Sequence, residues 1–191
     1  AELYDTMENP LVLVLAKMEH FGVGVDIDEL RRLNGRLKAE VDSLAAELRA
    51  VAGKEDLNPN SPKQLRELLY DEKGLTPIKK TKTGPSTDAS TLERLMPEWP
   101  EFLGPLMRHR EVDKLRGTYG EGLLHEVAND NRIHASFNQT VARTGRLSSD
   151  RPNLHNIPVR SEQGRQFRKI FVPSPGTELF VADYTLSLIP I

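Results

Sequence analysis

The stretch DIDELRRLNGRLKAEVDSLAAELRAVAG, residues 26–53, decides how the first half of this chain folds. Its apolar residues recur at steps of three and four, which places them on one stripe of an α-helix. Asp26 followed by Glu29 is typical of a helix start, and Gly53 is typical of a helix end. The stripe consists of Leu30, Leu33, Leu37, Val41, Leu44, Leu48 and Val51.

An apolar stripe of this length needs a second helix to cover it. Residues 100–126 are the best candidate, because they supply apolar side chains at helical spacings. These side chains are Phe102, Leu106, Leu115, Tyr119 and Leu123. We therefore predict a long antiparallel helical arm.

The segment between these two helices has two parts. Residues 60–74 predict a short helix, with Ser61 as its N-cap, Pro62 in the first position and Gln64 reaching back to the cap. Residues 77–90, PIKKTKTGPSTDAS, contain three lysines and several hydroxyl residues, and the Gly-Pro pair argues against regular structure. Two interpretations stay open. The loop is either solvated surface, or it holds phosphate groups through its lysines, hydroxyls and backbone N–H groups.

The periodicity changes after about residue 130. The segment RIHASFNQ (132–139) alternates between apolar and polar residues, while FRKIFVP (167–173) and ELFVADY (178–184) are also typical of strands. A helical first part followed by a sheet-containing second part predicts an α+β fold.

A long polar stretch, TGRLSSDRPNLHNIPVR, occupies residues 144–160. Stretches of this length without regular structure are usually functional or disordered. Order is favoured here by apolar residues that would anchor the stretch against a core, namely Leu147, Leu154, Ile157 and Val159. Anchoring would turn four hydrogen-bonding side chains outward, namely Arg146, Asn153, His155 and Asn156. Such side chains suit the acceptors of the DNA minor groove, which are nearly the same for every base pair.

Composition excludes several classes of protein. The 191 residues contain no cysteine, which excludes disulfides, thiolate metal sites and a cysteine nucleophile. The apolar run at 10–16 is too short to span a membrane, and the acidic start is not typical of a signal peptide. We therefore expect a cytosolic protein with no membrane partner.

The net charge of −2 combines two unlike parts. Twelve acidic and seven basic residues lie in the chain through Asp56, whereas seven basic and two acidic residues lie between Arg143 and Lys169. This asymmetry favours one face that meets a polyanion.

The polar stretch closely resembles a motif of the bacterial DNA polymerase I family (family A), usually written TGRLSSxxPNLQNIP. Other segments are similar to the family in the expected order, namely ENPLVLVLAKMEHFGVGVDIDEL (8–30), LNPNSPKQL (57–65), KKTKTGPSTDASTLERL (79–95), REVDKLRGTYGEGLL (110–124), RIHASFNQTVARTGRLSS (132–149) and LFVADY (179–184). The resemblance implies a thumb-like helical domain at 1–128 with a basic tip loop near 77–90. Residues 129–191 would be the N-terminal part of a palm that is incomplete and ends at motif A.

The resemblance also implies which residues bind primer–template duplex DNA. The matching positions are Lys79, Lys80, Lys82, Thr83 and Ser86 at the tip, Lys114 and Arg116 on the returning helix, and Asn138, Gln139, Thr140, Arg146, Asn153, His155 and Asn156 in the palm part. Asp183 matches one of two catalytic aspartates that bind Mg²⁺, and the backbone carbonyl of Tyr184 would be a further metal ligand. The parent enzyme would be a DNA-directed nucleotidyltransferase of replication and repair, a monomer in the bacterial cytoplasm at the nucleoid.

The chain departs from the family pattern at three points. His155 stands where the family has glutamine. After Tyr184 the family continues SQIELR, whereas this chain has TLSLIPI, so Leu188 replaces a glutamate that helps to exclude ribonucleotides. The fingers and the second catalytic aspartate do not follow. We therefore expect weak or no Mg²⁺ binding by this chain, deoxynucleotide binding only in a complete enzyme, and no independent catalysis.

Three hypotheses about function remain. The chain is a segment of a template-directed polymerase, a non-catalytic module that binds duplex DNA, or a helical interaction protein with an incidental basic loop. Duplex binding and primer extension would separate them.

Overall fold

The computed structural model describes residues 2–82, 84–158 and 162–182, apart from the side chain of Gln163. The α-helices are α1 (Asn9–Phe21), α2 (Ile27–Ala52), α3 (Pro62–Arg66), α4 (Ala89–Leu95), α5 (Pro100–Leu115), α6 (Gly122–Glu126) and α7 (Glu162–Lys169). The strands are β1 (Val23–Val25), β2 (Lys80–Thr81), β3 (Gly84–Pro85), β4 (Arg132–Ile133), β5 (Ser136–Asn138), β6 (Ser148–Asp150) and β7 (Phe171–Val172). Wider helical turns at Tyr4–Glu8, Glu67–Glu72 and Arg116–Glu121 adjoin α1, α3 and α5. The fold is α+β, as predicted.

The chain divides into two compact units. Residues 31–125 form one of them, called here the helical unit, and residues 1–30 together with 126–191 form the other, called here the sheet unit. The division into a thumb-like domain and a palm part near residue 128 stays a prediction.

The predicted antiparallel pair of helices is present in the helical unit. The N-cap is Asp26, whose carboxylate accepts the N–H of Glu29 at 2.9 Å. Arg108 on α5 pairs with Glu40 on α2 at 2.7 Å. Gly120 faces Asn34 so closely that a Cβ on the glycine would clash with the Asn34 Oδ1. Since 34 precedes 40 while 120 follows 108, the two helical runs are antiparallel.

The buried stripe of α2 differs from the prediction at its end. Leu30, Leu33, Leu37 and Leu48 are almost fully buried, whereas Val51 is 38% exposed. The covered part of the stripe therefore ends one helical turn earlier than predicted.

The core of the helical unit lies where α2, α3, α4 and α5 meet. It consists of Leu48, Leu57, Leu65, Leu68, Leu69, Leu75, Leu92, Leu95, Trp99, Phe102, Leu103 and Leu106. The rings of Trp99 and Phe102 stack at 4.5 Å. The predicted N-cap of α3 is confirmed, because the Ser61 hydroxyl accepts the N–H of Gln64 at 3.4 Å. The Gln64 side chain instead accepts the N–H of Asn58 at 2.7 Å, so it does not return to the cap.

A three-stranded antiparallel sheet in the order β4-β1-β7 organises the sheet unit. Val23 lies opposite Ile133, and Val25 lies opposite Phe171. The sequence did not predict β1, although it is the central strand. Gly24 is required in this strand, because a Cβ there would lie 2.7 Å from the carbonyl oxygen of Val172.

The strand predicted at 132–139 is broken into β4 and β5, which belong to different sheets. The break at His134 has a local cause. The His134 imidazole bonds to the Glu19 carbonyl at 2.8 Å and to the Asp130 carboxylate at 3.0 Å. The N–H of Phe137 donates to the Glu19 carboxylate at 2.6 Å. These bonds to residues outside the sheet redirect the chain.

Two other strand predictions were wrong in part. Residues 167–169 belong to α7, and strand structure is limited to Phe171–Val172. Gly164, Phe167 and Ile170 are buried at steps of three, which is helical spacing. Residues 178–182 form no strand, and Phe180 and Val181 are 90% and 88% exposed. An extended segment becomes a strand only when a neighbour accepts its backbone hydrogen bonds. The rest of that prediction, 183–184, lies outside the described residues.

Candidate nucleic-acid interface

The lysine-rich segment of the helical unit is a small hairpin rather than an irregular loop. Strands β2 and β3 pair with Lys80 opposite Pro85 and Thr81 opposite Gly84. The Thr81 hydroxyl donates to the Gly84 carbonyl at 2.9 Å and closes the turn. The Gly-Pro pair therefore does not prevent pairing; each strand has only two residues, so few bonds are lost.

The three predicted tip lysines are exposed, but they are not equivalent. Lys79 forms an ion pair with Asp88 at 2.8 Å. Lys80 and Lys82 make no ion pair with any residue in the described parts of the chain. The hairpin therefore offers two uncompensated positive charges, not three.

Asp88 holds the base of the hairpin. Its carboxylate also accepts the N–H of Thr91 at 2.9 Å and caps α4. The hydrogen bond from Lys79, followed by those from Thr91, holds the pKa of Asp88 well below its ordinary range. Asp88 is not among the predicted site residues, although an aspartate just before a helix with a buried face is a recognisable N-cap signal.

Ser86 and Thr83 are the two hydroxyl residues among the predicted tip contacts, and only Ser86 is described by the structure. Ser86 is buried, its hydroxyl accepts the N–H of Asp88 at 3.1 Å, and its carbonyl accepts the Tyr70 hydroxyl. Ser86 therefore shapes the hairpin base, and its contact with DNA stays a prediction. Thr83 lies outside the described residues.

The two predicted basic residues near the end of α5, Lys114 and Arg116, also differ in their surroundings. Lys114 is exposed. Arg116 binds Asp113 at 3.1 Å and also binds Glu121, so its guanidinium already has two carboxylate partners. Its side chain fastens the wide helical turn at 116–121 to α5, and a role at DNA stays a prediction.

Strands β5 and β6 of the sheet unit carry the next predicted residues. Phe137 lies opposite Ser149 in this pair. The Asn138 amide donates to the Asp150 carboxylate at 2.8 Å, and the Gln139 amide donates to the Glu8 carboxylate at 2.8 Å. Both amides thus have protein partners, while Thr140 is exposed.

The polar stretch at 144–160 is more regular than the sequence predicts, because it contains β6 and a short helical turn at Leu154–Asn156. Ile157 is buried, and Leu147 and Leu154 are half-buried. The four predicted polar side chains are exposed, namely Arg146, Asn153, His155 and Asn156. The fourth apolar anchor, Val159, lies outside the described residues.

Ser149 links this exposed set to the buried interior. It is fully buried. Its hydroxyl oxygen accepts the N–H of Leu154 at 3.0 Å and lies 2.8 Å from Nδ1 of His155. The His155 and Phe137 rings are arranged edge to face, with the ring centroids 6.2 Å apart and the planes at 82°. Sequence reasoning missed Ser149, because its contacts depend on strand pairing.

The predicted metal ligands Asp183 and Tyr184 lie outside the described residues. Within residues 2–82, 84–158 and 162–182, no group of three histidine, aspartate or glutamate side chains could hold a metal ion. No helix in this same part of the chain is long and apolar enough to cross a membrane.

Comparisons with known proteins agree with one another. A family profile described as DNA polymerase family A matches residues 27–187. DNA polymerase I of Bacillus subtilis is 45% identical over 186 residues, which cover 96% of this chain and 21% of that protein. DNA polymerase I of Mycobacterium tuberculosis (strain H37Rv) is 46% identical over 185 residues, which cover 96% of this chain and 20% of that protein. The chain thus spans about a fifth of the length of these relatives.

A solved structure described as the POL domain of Pol1 from M. smegmatis in complex with DNA primer-template and dNTP is also similar. Its TM-score is 0.85 and its sequence identity is 45%. The match covers 92% of this chain and 31% of that one.

Proposed function

The chain belongs to DNA polymerase family A, and from this premise we propose that it binds primer–template duplex DNA as a segment of a template-directed DNA polymerase. The parent protein would act in bacterial DNA replication or repair at the nucleoid. The segment similar to the POL domain of Pol1 covers almost the whole chain, and that protein was solved with primer–template DNA. Both facts support the choice of partner.

The observation that carries the proposal is the exposed polar set on an anchored turn. Arg146, Asn153, His155 and Asn156 are exposed, while Ile157, which follows Asn156 in the chain, is buried. Guanidinium, amide and imidazole N–H groups can donate to the minor-groove acceptors, which purine N3 and pyrimidine O2 atoms present at every base pair. Such contacts hold a duplex near its primer end without reading its sequence.

The hairpin at 80–85 would supply a second, electrostatic contribution. Lys80 and Lys82 are exposed and lack ion pairs among the described residues. Lysines of this kind bind phosphates through charge, release counterions and carry no sequence information. Lys114 would add a further phosphate contact, whereas Lys79 and Arg116 would first have to leave their carboxylate partners.

Catalysis is proposed for the whole protein and not for this chain alone. Two magnesium ions held by paired aspartates would supply the phosphoryl-transfer chemistry there. Asp183 and the carbonyl of Tyr184 are the proposed ligands, and both lie outside the described residues. The contribution proposed for the described residues is to hold the duplex.

The test is titration of a fluorescent primer–template duplex with the chain at about 50 mM and about 200 mM salt. We expect binding at the lower salt concentration that falls steeply at the higher one. Absence of binding at low salt, with the helical circular dichroism intact, would contradict the proposal and favour a helical interaction protein. Primer extension with Mg²⁺ and deoxynucleotides then separates a catalytic chain from a binding segment.

A further inference from the structure

Ser149 and His155 form a buried-to-exposed pair beneath the proposed minor-groove surface. Ser149 is fully buried on β6, and His155 is exposed in the short turn Leu154–Asn156. The Ser149 oxygen lies 2.8 Å from His155 Nδ1 and accepts the Leu154 N–H at 3.0 Å. The question is which of the two side chains donates the proton in their shared hydrogen bond.

The number of donors and acceptors on the Ser149 hydroxyl decides which side chain donates. A serine hydroxyl has one proton to donate and two lone pairs that accept. The Leu154 N–H occupies one lone pair of Ser149. Within the described residues, His155 Nδ1 is the one other hydrogen-bond partner of the Ser149 hydroxyl, at 2.8 Å. If Nδ1 carried the ring proton, the buried hydroxyl would receive two donors and its own proton would have no partner, which is costly.

Nδ1 is therefore the acceptor, and the proton of the neutral ring lies on Nε2. The imidazole also contacts Phe137 edge to face, with the ring centroids 6.2 Å apart, and this contact favours one orientation of the ring. Phe137 is itself placed by its pairing opposite Ser149. One strand pair thus sets both the tautomer and the orientation of the imidazole.

We propose that Ser149 is a positioning residue that fixes His155 as an Nε2–H donor for minor-groove acceptors of the duplex. The inference rests on the proposed function and deepens it. A glutamine, which the family pattern has at this position, carries an amide N–H donor. An imidazole without a fixed tautomer presents a donor or an acceptor, and only the donor matches purine N3 and pyrimidine O2.

Heteronuclear NMR of the imidazole nitrogens in the free chain tests the tautomer directly, with His155→Gln to assign the signals. We expect a protonated Nε2 and an acceptor-type Nδ1. In Ser149→Ala we expect both shifts to move towards a mixture of tautomers. A protonated Nδ1 in the unchanged chain overturns the positioning role. The spectrum of the unchanged chain decides this even where Ser149→Ala fails to fold, and Ser149→Thr, which keeps a hydroxyl, should keep the shifts.

The second measurement uses duplexes whose purines near the primer end carry C–H in place of the minor-groove ring nitrogen. Loss of one hydrogen bond should weaken binding of the unchanged chain about three- to tenfold. When Ser149→Ala is made in the otherwise unchanged chain, the modified purines should weaken binding less than they do without it. When Ser149→Ala is made together with His155→Gln, the effect of the modified purines should be the same as in His155→Gln alone. A merely structural serine would change the penalty equally in both backgrounds, which would overturn the inference.

The two measurements separate the inference from the proposed function. Absence of binding to an unmodified duplex would overturn the minor-groove target together with the proposed function. A protonated Nδ1 with normal duplex binding would overturn the role of Ser149 and leave the proposed function intact.

Discussion

The ammonium group of Lys79 lies 2.8 Å from one carboxylate oxygen of Asp88, and the other oxygen accepts the N–H of Thr91 at 2.9 Å. Asp88 therefore neutralises a lysine of the basic hairpin and caps α4 at the same time. Asp88 therefore stabilises the fold but lowers the positive charge of the hairpin, so the two effects compete.

The first prediction follows from this competition. Asp88→Asn should strengthen duplex binding at low salt, because Lys79 loses its carboxylate partner, yet it should lower the melting temperature. Asp88→Ala should lower the melting temperature further, since asparagine still caps a helix and alanine does not. Glu93→Gln, an equal charge change at an exposed position of α4, is the control. Weaker duplex binding by Asp88→Asn would contradict the competition.

The Asp88 carboxylate should also make the stability of the chain depend on pH in the acidic range. Its pKa lies below the ordinary value of 3.8, chiefly because of the hydrogen bond from Lys79. The stability it contributes is therefore fully present above pH 3.8 and is lost as the pH falls through the lowered pKa. Thermal melts of the unchanged chain and of Asp88→Asn should converge as the pH falls below that range.

For His134 we expect stability to fall as the pH rises, which is the opposite of the effect of Asp88. The Glu19 carbonyl and the Asp130 carboxylate both accept from its ring, so the doubly protonated ring satisfies both. The bond to Glu19, then the bond to Asp130, raises its pKa above the ordinary 6.5, although Arg132 opposes this. The stability gained is complete below pH 6.5 and is lost as the pH rises through the raised pKa.

Urea unfolding of the sheet unit measures this effect. The free energy of unfolding should decrease across the raised pKa in the unchanged chain and in the exposed control His125→Gln, but stay flat in His134→Gln. An equal decrease in all three proteins would show that His134 is not responsible.

The hairpin lysines predict a loss that is the same for every DNA sequence. Lys80→Glu with Lys82→Glu should weaken binding to all duplexes alike and reduce the salt slope by about two. The matched control is Lys17→Glu with Lys38→Glu, which makes the same charge change at exposed positions of α1 and α2. A loss that depends on the DNA sequence would argue against phosphate contacts.

Arg146 predicts a smaller effect in this chain. Its exposed guanidinium would make one contact in the minor groove at a primer end, whereas the double lysine change reverses two exposed charges. Arg146→Ala should therefore weaken duplex binding less than the double lysine change. Titration of both variants side by side decides the order, and a larger loss for Arg146→Ala would prove the prediction wrong.

Two glycines predict stability changes of opposite sign. Gly24→Ala should destabilise the sheet by about 1–3 kcal/mol, because its Cβ would lie 2.7 Å from the backbone oxygen of Val172. Gly35→Ala on α2 should stabilise by about 0.5–1 kcal/mol, since nothing lies within 4 Å of that Cβ and alanine favours helix. Denaturant titration checks both, and destabilisation by Gly35→Ala would contradict the second.

The pattern of apolar and polar residues was sufficient to predict an element whose periodicity extends over many residues. The stripe from Leu30 to Leu48 and the cap at Asp26 predicted α2 to within a residue or two, and the order of apolar and polar residues predicted that Arg146 and His155 would be exposed. Pattern failed for short segments. Residues 167–169 were predicted as part of a strand over 167–173, yet burial of Phe167 and Ile170 has helical spacing.

The sequence by itself thus determined the α+β class, the helical arm and the exposed residues of the candidate site. Only the tertiary structure decided which predicted site residues already have partners, for example Lys79 with Asp88, Arg116 with Asp113, and His155 with Ser149. The physical reason is that exposure and periodicity are local properties of one element. A hydrogen bond or ion pair depends instead on ångström-scale distances between side chains that strand pairing and helix packing bring together.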